Sequence, residues 1–329
     1  METADLLGKE TAWRALAAYD LHPLGITALQ HGDSLTWRVE TLDGRYLLRL
    51  HHPRIETFET ASLSRAALHS EILWLRALRR KNLPVPSPVA ARSGAYVTEW
   101  AGEAVTVLAW QEGEALTRDL ESESSAMAMG SLVGQLHAQA SRWKPPAGFV
   151  RPSRDRHYFR AALEALRPAL ADGRMTYQDF KTLEEFVELL TATTATLRLS
   201  RQTWGMLHGD LHRGNFILGS DQLRLIDFSL CGWGHFAFDL GTCLSNLRTA
   251  YHPLFLEAYT RFFPLPPNFA RLIEGYFLAR HLSTFARSVA DASVQEELIR
   301  RIPLIAGEYA TRFNRDERFW FTPQSASLI

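Results

Sequence analysis

Two linked stretches constrain this chain more than any other: Leu207-His208-Gly209-Asp210-Leu211-His212-Arg213-Gly214-Asn215, and shortly after it Leu225-Ile226-Asp227-Phe228. Between them, the apolar runs Phe216-Ile217-Leu218 and Leu223-Arg224-Leu225-Ile226 are separated by the polar Gly219-Ser220-Asp221-Gln222. Short apolar runs around such a segment read as a β-hairpin with a four-residue turn. The hairpin puts a loop rich in His and Asp at the mouth of its first strand and a lone Asp at the end of its second. The two ends of an antiparallel hairpin lie side by side, so Asp210, Asn215 and Asp227 are expected to converge on one site.

Hard oxygen donors converging beside a carboxylate suit phosphoryl transfer. A triphosphate is strongly anionic and is presented to its acceptor through Mg²⁺ ions bridging its oxygens. The protein must supply oxygen ligands for the metal and a carboxylate that orients the acceptor hydroxyl and takes its proton. In protein kinases this is H-R-D-x-x-x-x-N followed by D-F-G, with the first Asp as base and the Asn and second Asp as metal ligands. Asp210 and Asn215 stand at that spacing, and Asp227-Phe228 follows at the hairpin length. Two other readings compete. The alternation His208, Asp210, His212 could hold Zn²⁺ in a zinc-dependent hydrolase, but no further His or Cys cluster completes such a site and Asn215 would be idle. A polar turn whose His and Asp only satisfy backbone groups would leave the second motif unexplained.

On His208-Gly209-Asp210 through Asn215, then Ile226-Asp227-Phe228, then Gly234 and Asp239-Leu240, the chain resembles the aminoglycoside phosphotransferase/choline kinase-like kinases, the phosphotransferase enzyme family. The resemblance implies a two-lobed, protein-kinase-like α+β fold with a small antiparallel-sheet N-terminal lobe and a mostly helical C-terminal lobe. It implies ATP, with GTP as the alternative nucleotide, and Mg²⁺. Carried over by position, Asp210 is the catalytic base, His208 braces its loop, and Asn215 and Asp227 hold the metal. Arg49 stands where the kinase pattern has the Lys that contacts the α/β-phosphates, and Arg brings the same charge with a wider donor fork. Relatives often carry a second acid soon after the metal-binding Asp-Phe; here that position is Ser229, so Asp227 is the one carboxylate before Asp239. Asp239 is expected to cap the next helix and to brace the catalytic loop.

At 329 residues the chain is long enough for a large core or two modest lobes. Its 36 basic residues balance 36 acidic ones, so nothing in the charge points to nucleic acid or an anionic membrane. Met1-Glu2-Thr3-Ala4-Asp5 has no signal-peptide character, and the two cysteines, Cys231 and Cys243, are too few for a disulfide framework. A cytoplasmic protein is the expectation, acting as a monomer or homodimer.

Taken in order, residues 11–21 read as a short amphipathic helix that ends at Pro23-Leu24-Gly25. Strands are expected over Thr27–His31, Leu35–Leu42 and Arg45–His51, the last two joined by the hairpin signal Asp43-Gly44. In the first turn, His31-Gly32-Asp33-Ser34 could lay backbone N–H groups of Gly32 and Ser34 over phosphates, although a plain hairpin turn reads the same residues equally well. Residues 59–81 read as a helix whose apolar stripe is Leu68, Ile72, Leu75 and Leu78. Glu71 lies on that stripe, so it needs a partner, and the kinase strand-to-helix ion pair offers Arg49.

Two more strands, Ala95–Trp100 and Ala104–Trp110, complete a five-stranded sheet. The resemblance puts the lobe boundary at a hinge over 108–113, with residues 1–107 as nucleotide-binding lobe and 114–329 as catalytic and acceptor-binding lobe. The acids Glu112, Glu114, Asp119, Glu121 and Glu123 around the hinge read as a solvated linker. Helices are expected from Ser124, over 157–170, over 178–198 with Thr176 as its cap, and over 253–263, 267–288 and 293–314. His137 reads as a buried structural histidine. Arg280-His281, Trp233, His235, Tyr251 and Trp320 are candidate walls of the acceptor pocket. The expected reaction is transfer of the γ-phosphoryl group to a hydroxyl of a small molecule, such as an amino alcohol, homoserine, a sugar or an aminoglycoside, or of a protein Ser or Thr. The rival is a nucleotide-binding pseudokinase scaffold, which would lack one of Asp210, Asn215 or Asp227, and all three are present.

Overall fold

A computed structural model describes residues 2–29, 34–52, 64–197, 199–289 and 299–321. Strands β1 (Pro23–Ala28), β2 (Leu35–Thr41), β3 (Gly44–His51), β4 (Thr98–Trp100) and β5 (Glu103–Ala109) form an antiparallel sheet in the order β1-β2-β3-β5-β4. The first strand starts at Pro23, earlier than the expected Thr27. A proline without an N–H is tolerated at the first residue of an edge strand, and β1 is an edge. The helix expected over 11–21 is α1 (Glu2–Leu16), displaced towards the N-terminus.

Period-two alternation along β3 sends its side chains into two different environments. Leu48 and Leu50 join Trp37, Val39, Val105 and Val107 in a small core closed by Ala12, Ala15, Leu16 and Tyr19 from α1 and the turn after it. Arg49 and His51 are buried on the opposite face, where Leu47 meets the main core.

Helix α2 (Arg65–Arg79) is capped by Ser64, whose Oγ accepts the Ala67 N–H at 3.3 Å. It ends where Asn82 enters the left-handed region at φ 58°. Its stripe of Leu68, Ile72, Leu75 and Leu78 belongs to the main core, together with Leu136, Phe186, Phe228 and Phe236. Helix α2 is thus packed as part of the helical body, although it lies in sequence between strands of the sheet.

The rest of the chain is mostly helical. It comprises α3 (Glu123–Arg142), α4 (Arg156–Glu164), α5 (Arg167–Ala171), α6 (Tyr177–Ala195), α7 (Ala237–Ser245), α8 (His252–Thr260), α9 (Phe269–Ser288) and α10, over 302–314. The single helix expected over 157–170 is broken into α4 and α5, because Pro168 cannot continue a helix and instead sits in the first turn of α5. Thr176 caps α6 by accepting the Asp179 N–H at 3.0 Å. Helices α3 and α8 approach so closely that a Cβ on Gly130 would stand 2.1 Å from the Phe255 carbonyl oxygen. Three small strand pairings complete the fold. β6 (Glu114–Ala115) pairs with β8 (Phe216–Leu218), which pairs with β9 (Leu223–Leu225), and β7 (Trp204–Leu207) pairs with β10 (Gly232–His235). The β8–β9 hairpin has the expected antiparallel register, Phe216 opposite Leu225 and Leu218 opposite Leu223. No helix among the described residues is long and apolar enough to cross a membrane.

Candidate active site

Strand β7 delivers the chain into the loop 208–215, and three buried groups hold that loop. His208 is fully buried: Nε2 donates to the Ile226 carbonyl at 2.9 Å while Nδ1 accepts the Asp210 N–H at 3.3 Å. These two bonds assign the ring proton to Nε2. The Asp239 carboxylate accepts the His208 N–H and the Gly209 N–H, both at 2.9 Å. His137 stands behind it, with Nε2 3.2 Å from Asp239 Oδ2 and Nδ1 2.9 Å from the Tyr259 hydroxyl. Burial opposes the charge on Asp239, and the hydrogen bonds from His137 and the Gly209 N–H outweigh it, so the carboxyl is held below its usual range. Asp239 braces the loop but does not cap α7, since it lies inside the first turn and α7 has no side-chain cap. Gly209 is required here on two counts: its φ is 84°, and a Cβ would stand 2.3 Å from the Leu230 carbonyl oxygen.

The three oxygen donors meet where the hairpin closes. Asn215 Nδ2 donates to the Asp210 carbonyl at 2.8 Å, which fixes the amide orientation and turns Oδ1 away from that bond. The Ile226 N–H bonds the Asn215 carbonyl at 3.0 Å and so ties Asp227 to the same end of the hairpin. Asp227 is exposed, adopts φ 59°, and accepts the Ser229 N–H at 3.2 Å. A non-glycine residue in the left-handed region is uncommon, and Asp is among the few that tolerate it. Asp210 lies deeper. Arg280 of α9 donates to its Oδ1 at 3.1 Å, and His212 Nε2 is 3.6 Å from its Oδ2. Burial would raise the Asp210 carboxyl; Arg280 first, and then Arg287, outweigh it and hold it below the usual carboxylate range. His212 is itself pushed down, first by burial and then by Arg280, against the pull of Asp210 and Asp227.

On the sheet side, Arg49 and Glu71 form a buried two-pronged pair, Nη1 to Oε1 at 2.8 Å and Nη2 to Oε2 at 3.1 Å. Burial works against the Arg49 charge, but the Glu71 carboxylate overcomes it, with Asp227 adding to the effect. Asp227 is therefore near enough to Arg49 and to His212 for its charge to act on both. His51, one face-neighbour along β3, is driven well below its ordinary pKa by burial and by Arg49 and Arg151. It bonds Thr106 Oγ1 at 2.8 Å and Ser34 Oγ at 3.2 Å, so the Ser34 side chain is tied to the sheet. Gly32 lies outside the described residues.

The Arg49–Glu71 pair yields a test that separates folding from function. Glu71→Ala leaves a buried guanidinium unpaired and is expected to cost about 3–5 kcal/mol of stability in chemical denaturation. The double variant Arg49→Met, Glu71→Leu should fold with near-normal stability and still fail to bind nucleotide in a calorimetric titration.

Glu121 corrects the reading of the acidic cluster as a solvated linker. Its side chain is fully buried and bonds Arg213 of the loop 208–215, while its other oxygen is 3.5 Å from Arg248 Nε. A lone Glu in a run of acids carries no periodic signal, so sequence alone does not set it apart. Of the candidate pocket walls, Arg280 reaches Asp210, whereas His235 is a core residue edge-on to Trp204 at 4.9 Å. Trp320 and His281 both pack on Phe277, at 4.5 and 4.6 Å. Trp233 stacks edge-on with Phe149 at 5.9 Å, and Tyr251 is half-buried against the main core. The zinc reading does not fit the donor set: His208 spends both ring nitrogens on main-chain groups, the Ile226 carbonyl and the Asp210 N–H. Among the described residues, no three His, Cys, Asp or Glu side chains could hold an ion together.

An antiparallel sheet with one ion-paired helix, followed by a helical body carrying an Asp–Asn–Asp loop and hairpin, is a protein-kinase-like arrangement. The model of the phosphotransferase enzyme family matches residues 10–272, and the chain belongs to that family. A Synechocystis protein designated sll1119 is 28% identical over 259 residues, covering 75% of this chain and 68% of its own. A homoserine kinase of Xanthobacter autotrophicus is 26% identical over 246 residues, covering 70% of this chain and 67% of its own. Among solved structures, an amicoumacin kinase in complex with AMP-PNP and Ca²⁺ superposes with a TM-score of 0.75 at 18% identity, covering 97% of each chain.

Proposed function

We propose that this enzyme transfers the γ-phosphoryl group of ATP, bound with Mg²⁺, to the hydroxyl of a small-molecule acceptor. The observation that carries the reading is the meeting of Asp210, Asn215 and Asp227 at one end of the β8–β9 hairpin, with the Arg49–Glu71 pair near enough for the charges of Arg49 and Asp227 to act on each other. Asn215 Oδ1 and the Asp227 carboxylate are the hard oxygen donors that would hold a magnesium ion. When bound, the metal neutralises charge on the phosphate oxygens.

The chain's own residues supply position. Arg49, held by Glu71, presents its guanidinium to the α/β-phosphates. Asp210 stays ionised at neutral pH, hydrogen-bonds the acceptor hydroxyl, and receives its proton as the new bond to phosphorus forms. A carboxylate held below its usual range is a weak base in the ground state, which suits a loose transition state in which the proton moves late. His208, Asp239 and His137 keep the loop from shifting, and orientation of this kind supplies much of the barrier reduction. The segment 108–113 is read as the hinge against the nucleobase, where Gln111 Nε2 already bonds the Ala109 and Trp110 carbonyls at 3.3 and 3.2 Å.

For the acceptor, the groups acting on Asp210 are cationic, Arg280 before Arg287. This favours a hydroxyl compound that is neutral or carries a carboxylate over a polycationic drug. A hydroxy amino acid of the homoserine type therefore heads the panel. The test is acceptor-dependent ADP release across hydroxy amino acids, amino alcohols, sugars, aminoglycosides and Ser/Thr peptides. Stimulation by one of the small-molecule classes supports the proposal, and stimulation by the peptides alone contradicts it; none above the acceptor-free rate, in protein that binds nucleotide, argues for a scaffold.

A further inference from the structure

The loop that follows Asp227 is held by a pair of buried arginines that the reaction does not employ. Arg151 Nη2 donates to the Ser229 carbonyl at 2.5 Å and Nε to the Cys231 carbonyl at 2.6 Å. Arg154 Nη2 donates to the Leu230 carbonyl between them at 2.6 Å. Three consecutive carbonyls of the Asp227 loop are thus bound by two guanidinium groups, each on a residue less than a tenth exposed. The same Arg151 reaches the other way: its Nη1 donates to the Ala67 carbonyl in the first turn of α2 at 3.2 Å. The Val150 N–H bonds Ser70 Oγ on α2 at 2.8 Å, while the Arg154 N–H bonds the Trp233 carbonyl at 2.7 Å. Residues 150–154 therefore form a strap with one edge on α2 and the other on 229–233. Side chains repeat the connection, since Trp74 of α2 meets Phe228 edge-on at 5.5 Å and Phe228 in turn lies 4.5 Å from the His208 ring.

We infer that Arg151, seconded by Arg154, is a positioning residue that splints the Asp227 loop to α2, so that Asp227 and the Arg49–Glu71 pair keep one fixed relation. Kinase-fold enzymes in which the ion-paired helix moves away from the metal-binding Asp use that motion as a switch. Here helix and loop are joined through the strap and both lie in the main core, so the site is assembled without an activating event. The consequence for catalysis rests on the proposed metal role of Asp227; the mechanical coupling does not.

The experiment is hydrogen–deuterium exchange on the full-length protein, wild type against Arg151→Lys, which keeps the charge but cannot span the same carbonyls. We expect exchange at 228–232 and in the first turn of α2 to accelerate together by tenfold or more, with the β2–β3 hairpin unchanged. Ser70→Ala, a milder change that releases Val150, should accelerate the same two segments by a smaller factor. It serves as the test should the arginine variant fold poorly. Unchanged exchange at 228–232, or a uniform rise through the whole chain, overturns the inference. Calorimetric titration of AMP-PNP with Mg²⁺ and with EDTA reads the catalytic consequence: weakened binding in Mg²⁺ alone is the expected result. If exchange accelerates as described while the wild type binds AMP-PNP equally in both buffers, the splint stands and the metal role of Asp227 falls.

Discussion

Asp227→Ala is expected to eliminate the stabilisation that Mg²⁺ and nucleotide together give the wild-type protein. Ligand at 100 times its dissociation constant stabilises the fold by about 2.7 kcal/mol, and the variant should lose that whole increment in a thermal melt. Part of any change in the unliganded variant has a different origin. Asp227 sits at φ 59°, and Ala in the left-handed region costs roughly 1–2 kcal/mol. Asp227→Asn separates the two effects, because Asn tolerates that conformation and lacks the charge. An Asn variant with a normal unliganded melt and no shift with Mg²⁺ and nucleotide assigns the effect to the carboxylate. A wild-type shift in the Asn variant would show that the charge at 227 is not needed, and a wild-type shift in Asp227→Ala would remove Asp227 as a metal ligand.

Asp210→Asn should behave in the opposite way. The loop is held by His208, Asp239 and main-chain bonds that do not involve the Asp210 carboxylate, so the fold and nucleotide affinity should persist. The acceptor hydroxyl, however, loses the group that orients it and takes its proton. Losing a positioned base typically costs on the order of 10²–10⁴ in rate, and the loss should fall on kcat with little change in the KM for nucleotide. Steady-state ADP release with a working acceptor reads this directly, and turnover equal to wild type would exclude Asp210 as the base.

The hairpin was legible in the sequence because its chemistry and its geometry coincide. The apolar runs on either side of Gly219–Gln222 pointed to the β8–β9 hairpin, and the spacing from Asp210 to Asn215 pointed to the chemistry at its end. The pairing of Glu71 with Arg49 was legible for a similar reason, since a carboxylate on an apolar stripe demands a cation. What the sequence did not reveal lies where irregular chain is held by side chain to main chain bonds. Arg151 and Arg154 sit in Arg-Pro-Ser-Arg-Asp, which has no period, and their partners are carbonyls, which every residue has. Glu121 was obscured by neighbouring acids, and its burial depends on Arg213 and Arg248, which come close only in the folded chain. The helix break before Pro168 was legible in principle from the proline, but the apolar pattern runs across it.

The proposed reaction requires the hairpin end to be a metal-dependent nucleotide site. Calorimetric titration of AMP-PNP into the wild-type protein, once with saturating Mg²⁺ and once with EDTA, addresses that without needing the acceptor. We predict binding with one nucleotide per chain in Mg²⁺ and at least tenfold weaker binding in EDTA. Equal affinity in both, or no heat of binding in either, would contradict the assignment of Asn215 and Asp227 and with it the proposed reaction.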